Sequence, residues 1–317
     1  MDAAGMVVAP GFVDILAGGF SLEGNHFKVT DGVTTLLSMH GGPVDVDAWY
    51  GEQEREGRIV HFGTTVGHGS LREAVGVTDR EAAATPEQIA AMERLARKAI
   101  MDGAVGIGFG VQYVPGASEA EVLALFRVAA GMGVPCHLHP RFLGPVPPSN
   151  AEKGVQEVIA AAAATGASAQ IVHLPAMAGH EPSMMRTVLD LIEGARAHGV
   201  DVAADAYPWN AGQTSLESAV FDPGWQERMS VSYGDLMLAS TGERLTRDTF
   251  RRYREDGERT SVIIFHVKEE STDMAFGSPA VMVGSDGGIR NGRGHPRGAG
   301  TYAKFLRTYV WEEGALT

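Results

Sequence analysis

The chain has 317 residues, 44% of them hydrophobic and 21% charged, a composition that is ordinary for a soluble globular protein. Its formal net charge of −13 argues against nucleic acids and anionic membranes as partners, because both need a basic face. The single cysteine cannot form an internal disulfide, and the amino-terminal stretch lacks the basic and apolar regions of a signal peptide. We therefore expect one cytoplasmic domain spanning residues 1–317.

Short apolar runs rich in Val, Ile and Phe alternate with segments that carry helix-capping residues. Nine runs are candidate strands, in chain order MVVAPGFVDIL, TTLLSMH, IVHFGTTVGH, AVGIGFG, VPCHLH, AQIVHL, DVAADAY, SVIIFHV and AVMVGSDG. Strands that alternate with helices along one continuous chain favour parallel pairing with the helices outside. Nine candidates are one more than a (β/α)8 barrel needs.

Three intervening helices are delimited by capping residues and glycines. They are a helix after Thr85, Pro86 and Gln88 that ends at Gly103, one after Ser118 and Glu121 that ends near Gly131, and one after Ser149 and Glu152 that ends at Gly166. The pattern predicts an α/β fold, with a (β/α)8 barrel of the TIM type as the leading architecture. A doubly wound open sheet is the alternative, but the nearest glycine-rich loop, GIGFG at 106–110, lacks the GxGxxG spacing of a nucleotide site.

Polar residues cluster where the predicted strands end, which is where a parallel barrel builds its site. His40, His68, His139 and His173 each close a strand, and Asp286 follows the last one. A lone histidine at a strand end is usually a hydrogen-bonded structural residue. Four histidines and an acid on separate strands favour instead a zinc site with an open position for an activated water.

The chain resembles the N-acyl-D-amino-acid deacylase branch of the amidohydrolase superfamily. The stretches that carry the resemblance, in order, are VVAPGFVD at Val7, DGVTT at Asp31, VGHGSLREAVG at Val66, GIGFGVQYVPGAS at Gly106, HPRFLGP at His139, IVHL at Ile171, DAYPW at Asp205, SDGG at Ser285 and GHPRGAGTYAKFLRTYV at Gly294. Members of this branch are metal-dependent (β/α)8 amidases, so the resemblance implies the same fold and a small-molecule substrate. Relatives also carry a small β-sandwich, which we expect to be largely absent here.

The resemblance implies roles for individual residues. His139 and His173 match metal ligands of the fifth and sixth strands, and Asp286 matches the aspartate that handles the proton of the attacking water. His40 stands where relatives carry a Cys or Glu ligand, and imidazole can replace thiolate on zinc. His137, two residues before His139, is expected to be structural or to support a ligand.

Two departures from the family pattern limit the expected site. Relatives usually end the first strand with His-x-His, whereas this chain has Leu16 and Gly18, so we expect one divalent ion, zinc, held by His40, His139 and His173. Pro175 stands where relatives that bind a substrate carboxylate often place a lysine. Candidate replacements for that lysine are Tyr113, Arg141 and Arg297, because an arginine matches a carboxylate with two parallel hydrogen bonds.

The expected function is hydrolysis of the amide bond of a small N-acyl amino acid, D-configured by resemblance. Asp286 is expected to accept the proton of the attacking water, and His68 to help stabilise the oxyanion. Two alternatives stay open: a degenerate barrel that binds a small molecule without catalysis, and a lyase or isomerase that uses one metal ion. A Schiff-base aldolase is disfavoured. Lys268 is the only lysine near a predicted strand end, and the acidic residues beside it suggest a solvated turn. Association into a homo-oligomer is left open.

Overall fold

The structure is a computed structural model that describes residues 4–6, 8–18, 21–256, 259–289 and 291–316. The strands are β1 Phe12–Asp14, β2 Val33–Ser38, β3 His61–Thr64, β4 Val66–Gly67, β5 Ile107–Gly110, β6 Cys136–His139, β7 Ala169–Ile171, β8 Val202–Ala206, β9 Ala211–Ser215, β10 Leu236–Leu238, β11 Ser261–Phe265 and β12 Val281–Val283. Val7, which begins the first quoted stretch, lies outside the described residues.

The helices surround these strands. They are α1 Leu22–Thr30, α2 Val46–Glu56, α3 His68–Ala74, α4 Pro86–Met101, α5 Glu119–Met132, α6 Ala151–Thr165, α7 Leu174–Ala178, α8 Pro182–Ala197, α9 Trp225–Met229, α10 Arg247–Glu255, α11 Glu269–Phe276 and α12 Thr301–Phe305. Short 3₁₀ segments cover Val111–Tyr113, Ala219–Phe221, Tyr233–Asp235 and Pro296–Gly298, and a π-helical segment covers Leu306–Glu312. Within the described residues, no helix has the length and apolar character needed to cross a membrane.

Eight parallel strand positions form a closed barrel. One sheet has the order β1-β2-β3 and another has β12-β8-β7-β6-β5-β4, all parallel. β3 and β4 are two halves of one barrel strand, because Thr65 between them donates its N–H to Ser38 O and Val66 donates its own to Gly106 O, both at 3.0 Å. The predicted (β/α)8 barrel is confirmed.

The barrel closes between β12 and β1 through loop and side-chain contacts. Asp286 donates its backbone N–H to Leu16 O at 2.6 Å, and Ser285 donates its N–H to Asp14 Oδ1 at 3.0 Å. Lys28, on α1, is buried here, with its Nζ 3.0 Å from Asp14 Oδ2 and 2.5 Å from Ser285 Oγ. The lysine that lies beside the barrel strand ends is therefore Lys28. Lys268, the lysine predicted near a strand end, is exposed at the start of α11.

The extra candidate strand is SVIIFHV, the eighth in chain order, and it belongs to an insertion between β8 and α11. SVIIFHV forms β11, which pairs antiparallel with β9 on one side and β10 on the other. The insertion has a hydrophobic cluster of its own, in which Trp225 and Phe250 stack with ring centroids 5.4 Å apart. The extra candidate is thus a real strand outside the barrel, while the prediction of a single domain over 1–317 stays a prediction.

The helix ends follow the predicted capping residues closely. Thr85 and Gln88 form a capping box before α4, and Ser118 caps α5. α5 ends one residue beyond Gly131, with Gly133 in the left-handed conformation at φ 68°. The prediction that Ser149 opens α6 is wrong, because Asn150 is the N-cap and its side chain accepts the N–H of Lys153. Both residue types cap well, so the sequence alone did not separate the two positions.

Candidate active site

A pocket at the carboxyl ends of the barrel strands collects the predicted functional side chains. His139 is the last residue of β6, His40 and His173 each lie two residues beyond β2 and β7, and Asp286 lies three residues beyond β12. The ring centroids of His139 and His173 are 4.9 Å apart, and those of His40 lie 5.8 Å and 5.9 Å from them. The histidines of three strands therefore converge in one place.

The three imidazoles are neutral in this environment. Burial lowers the pKa of His40, and it holds the pKa values of His139 and His173 well below their usual range. The Nδ1–H of His139 faces Pro140 O at 3.1 Å and can donate to it, which leaves Nε2 unprotonated. His40 Nε2 and His173 Nδ1 are buried and lack a hydrogen-bond partner among the described residues. A neutral imidazole has one unprotonated ring nitrogen, which is what a transition-metal site requires of a histidine ligand.

The spacing of the rings suits one shared ion. Imidazoles bound at about 2.0–2.1 Å to one tetrahedral ion would have ring centroids about 5 Å apart, close to the separations observed. As the side chains stand, no three His, Cys, Asp or Glu of the described residues have ligand atoms arranged to hold a metal ion. The donor set fits a divalent ion in chemistry and ring spacing, and binding requires the side chains to reorient.

Asp286 and Arg297 form an ion pair beside the histidines. Asp286 Oδ2 lies 2.8 Å from Arg297 Nη2 and 3.8 Å from His173 Nε2. The guanidinium is almost fully buried and lies over the ring of Tyr207, 4.6 Å from its centroid. A carboxylate and a guanidinium thus face the same pocket as the three imidazoles.

Tyr113, the polar residues Gln213 and Thr214, and a set of apolar side chains also line the pocket. The Tyr113 ring lies 4.9 Å from that of His139, and burial raises the pKa of Tyr113 to about 12, so its hydroxyl stays a donor. The apolar lining is Leu143, Ala176, Met177, Val220, Met229 and Ile264. Val220, Met229 and Ile264 come from the insertion, which therefore forms one wall of the site.

The structure does not bring His68 to the pocket. The His68 side chain is fully buried, and its Nε2 lies 2.6 Å from Glu121 Oε1. Arg72 Nη1 binds the same carboxylate at 2.8 Å. The ring is thus engaged by α5 in the barrel wall, away from the position that oxyanion stabilisation would need.

Arg141 does not reach the pocket either. Its guanidinium binds both carboxylate oxygens of Glu157, at 2.9 Å and 2.7 Å, and donates to Ala117 O at 2.6 Å. These contacts occupy the donors that a substrate carboxylate would use. Of the three candidate carboxylate binders, only Tyr113 and Arg297 line the pocket.

The positions that depart from the family pattern carry no ligand groups. Leu16 is buried and contributes only its carbonyl, which accepts the Asp286 N–H. Pro175 lies in the first turn of α7. His137 is buried below the pocket, where burial lowers its pKa to about 3, and it does not line the cavity.

Three residues near the cluster were not singled out from the sequence. Asp205, at the end of β8, accepts the backbone N–H of His173 at 2.6 Å and a hydrogen bond from Gln170 Nε2 at 3.2 Å. Burial raises the pKa of Asp205 to about 7, although the two hydrogen bonds act in the opposite direction and lower it. Tyr207 and His266 line the pocket. The quoted stretch DAYPW contains Asp205 and Tyr207, but His266 follows an antiparallel strand, to which the strand-end rule does not apply.

Comparison with known proteins places the chain in a family. No family model matches the sequence. The whole chain aligns at 30% identity with 71% of an N-acyl-D-glutamate deacylase from Alcaligenes xylosoxydans xylosoxydans. The chain belongs to the N-acyl-D-amino-acid deacylase family. A D-aminoacylase from the same organism is 28% identical over 99% of the chain and 71% of its own length.

Solved structures agree with this family assignment. The N-acyl-D-glutamate deacylase from Bordetella bronchiseptica, solved with zinc and a phosphonate mimic of the tetrahedral intermediate, superposes with a TM-score of 0.85 at 26% identity. That match covers the whole chain and 73% of the other protein. A D-aminoacylase described as defining a novel subset of amidohydrolases gives a TM-score of 0.81 at 25% identity, over 97% of this chain and 71% of that one. The deacylase family acts on amide C–N bonds other than peptide bonds, so the expectation of such a hydrolase in the amidohydrolase superfamily is confirmed.

Proposed function

We propose that this deacylase hydrolyses the amide bond of a small N-acyl-D-amino acid with an apolar side chain, with the help of one zinc ion. The observation that carries the proposal is the convergence of three neutral imidazoles, one carboxylate and one guanidinium in a single pocket. The D configuration is supported by the relatives, which are deacylases of N-acyl-D-glutamate and N-acyl-D-aspartate, and a D-aminoacylase.

His40, His139 and His173 are the residues that would hold the ion. When bound, the ion supplies Lewis-acid activation of a water molecule and polarises the acyl carbonyl. Neither Leu16 nor Gly18 has a side-chain atom that could bind a second ion. A structurally similar D-aminoacylase is described as having a binuclear metal centre with one-metal activation and second-metal attenuation. This description supports a working site with one ion.

Asp286 is positioned to move the protons of the reaction. Its carboxylate would accept a proton as the water oxygen bonds to the acyl carbon, and would return it to the leaving nitrogen as the C–N bond breaks. The products are then a carboxylate and a free amine. Arg297 would pair with the α-carboxylate of the substrate, and Tyr113 would donate a hydrogen bond to the substrate from its protonated hydroxyl.

The lining of the pocket favours an apolar substrate side chain. Arg297 is the single lysine or arginine among the described lining residues, and it already faces Asp286. An acidic substrate brings two carboxylates, and with Arg297 bound to the first, the second would lie in the pocket without a cationic partner. N-acyl derivatives of D-leucine or D-methionine are therefore expected to be better substrates than those of D-glutamate or D-aspartate.

Metal analysis joined to a substrate panel tests this proposal. We expect about one equivalent of zinc in the wild-type protein, lost in His139→Ala and in His173→Ala but kept in the control His198→Ala, whose exposed ring caps α8. The panel pairs N-acetyl-D- with N-acetyl-L-amino acids, both apolar and acidic. No zinc after reconstitution would contradict the proposal in favour of a degenerate binding barrel. Bound zinc without amide hydrolysis would favour a lyase or isomerase.

A further inference from the structure

His173 adopts an unusual backbone conformation. Its φ of 36° and ψ of 54° lie in the left-handed region, which residues other than glycine seldom enter. Four non-glycine residues of the described chain have positive φ, and two of them, His173 and Asp286, face the pocket. Such a conformation persists only where the surrounding structure holds it, and it clusters at functional sites.

Two hydrogen bonds hold the backbone of His173, one to the next barrel strand and one from α7. Asp205, fully buried on β8, receives the His173 N–H on Oδ1 at 2.6 Å. The carbonyl of His173 accepts the N–H of Ala176 at 2.8 Å as α7 begins. Because His173 starts this helix, its N–H has no helical partner, and Asp205 supplies the acceptor.

We propose that Asp205 is a positioning residue that acts through the backbone of His173. By fixing the N–H of a left-handed residue, its carboxylate sets the direction in which the His173 imidazole leaves the chain. Gln170 Nε2 binds the other carboxylate oxygen at 3.2 Å and completes the arrangement. The inference rests on the proposed function, in which His173 is a metal ligand.

The geometry separates Asp205 from an ordinary support of a metal ligand. Such supports usually bind the free ring nitrogen of the histidine. Here the ring Nδ1 of His173 has no partner among the described residues, and the carboxylate binds the main chain. Loss of Asp205 should therefore weaken zinc binding, whereas a merely structural carboxylate would change stability and leave the affinity of the folded protein unchanged.

Zinc affinity, measured by competition with a chelator on the folded protein, tests the role. Asp205→Val removes the acceptor, and we expect affinity to fall about 10–100-fold, as for other residues that support ligands. Asp205→Asn keeps an oxygen that can accept the His173 N–H, so its affinity should stay within about threefold of wild type. Gln170→Leu is the matched control, because it removes the neighbouring hydrogen bond and leaves that N–H bonded; it should also stay close to wild type.

Several outcomes would overturn the inference. Asp205→Val with wild-type zinc affinity would do so, as would an equal loss in Gln170→Leu. If Asp205→Val does not fold, amide hydrogen exchange on metal-free wild type still decides: the His173 amide should be as protected as those of β7, and rapid exchange would refute the contact. Wild-type protein that binds no zinc but shows a protected His173 amide would instead contradict the proposed function.

Discussion

The ion pair between Asp286 and Arg297 places the proposed base and the proposed substrate anchor in contact. A substrate carboxylate would compete with Asp286 for the same guanidinium. Binding would thereby free the Asp286 carboxylate at the moment when it is needed. Replacement of Asp286 is thus expected to lower turnover, whereas replacement of Arg297 is expected to raise KM.

Substitution Asp286→Asn should remove turnover and leave metal content unchanged. The amide cannot accept the proton of the attacking water, and general-base catalysis contributes about 10²–10⁴-fold in rate. The measurement is kcat on the best substrate of the panel, with zinc determined on the same sample. Activity within about tenfold of wild type would remove Asp286 from the mechanism.

Substitution Arg297→Met should raise KM about 10–100-fold for substrates with a free carboxylate, because a charge-assisted pair is lost. The same variant should treat N-acyl-D-amino acid amides, which lack that carboxylate, much as the wild type does. Arg293→Met, at an exposed position nearby, is the control. An equal KM increase for acids and amides would show that Arg297 does not bind the carboxylate.

The residues that sequence reasoning placed well are those at strand ends. His40, His139, His173 and Asp286 reach one pocket because the carboxyl ends of parallel strands meet at one face of the barrel. His68 was misplaced because its partner, Glu121, lies on a helix far along the chain. Such pairs depend on packing between elements and leave no local pattern in the sequence.

At the scale of elements, the seam between β1 and β12 depends on a buried charge. Lys28 and Asp14 form an ion pair with almost no exposure, and Ser285 bonds to both. Removing one member of a buried pair leaves the other charge uncompensated, which costs far more than the pair itself contributes.

Lys28→Met should therefore lower the free energy of unfolding by about 3–5 kcal/mol, whereas the double variant Lys28→Met with Asp14→Asn should recover much of that loss. Urea unfolding of the three proteins measures both. Lys98→Met is a suitable control, because Lys98 pairs with Asp102 at the surface and should change stability little. If Lys28→Met alone were as stable as wild type, the result would show that water reaches the seam.

The insertion shows what patterns along the chain cannot predict. β11 has the same apolar character as the barrel strands. The sequence pattern therefore predicts nine strands, although the barrel contains eight. Val262 and Ile264 of β11 pack in the insertion's own hydrophobic cluster, together with Leu216, Trp225 and Phe250. The sequence predicted that β11 is a strand, and only packing places it outside the barrel.

At the scale of the whole molecule, burial keeps many histidines neutral. Burial lowers the pKa of seven of them, namely His40, His137, His139, His173, His180, His266 and His295. The pKa falls to about 3 for His137 and about 2 for His295. In the unfolded chain each would titrate near its ordinary value of about 6.5.

This difference predicts acid sensitivity of the metal-free protein. Below about pH 6.5 the unfolded chain binds protons that the folded chain does not, so stability is full above that pH and falls as the pH drops toward the folded pKa values. Between those two limits, each buried histidine lowers the free energy of unfolding by about 1.4 kcal/mol for every unit that the pH falls. Urea midpoints measured from pH 7.5 down to pH 4.5 should fall steeply, well before most carboxylates become protonated.

The variant His137→Leu isolates the histidine contribution from that of the acidic groups. It removes one buried imidazole that titrates only in the unfolded state, so its stability should fall with decreasing pH by about 1.4 kcal/mol per pH unit less than that of wild type. His198→Leu is the matched control for the substitution itself, because His198 is exposed and its replacement leaves every buried imidazole in place. Equal slopes in His137→Leu and wild type would mean that His137 takes up its proton in the folded protein, as it would if water entered the barrel beneath the pocket.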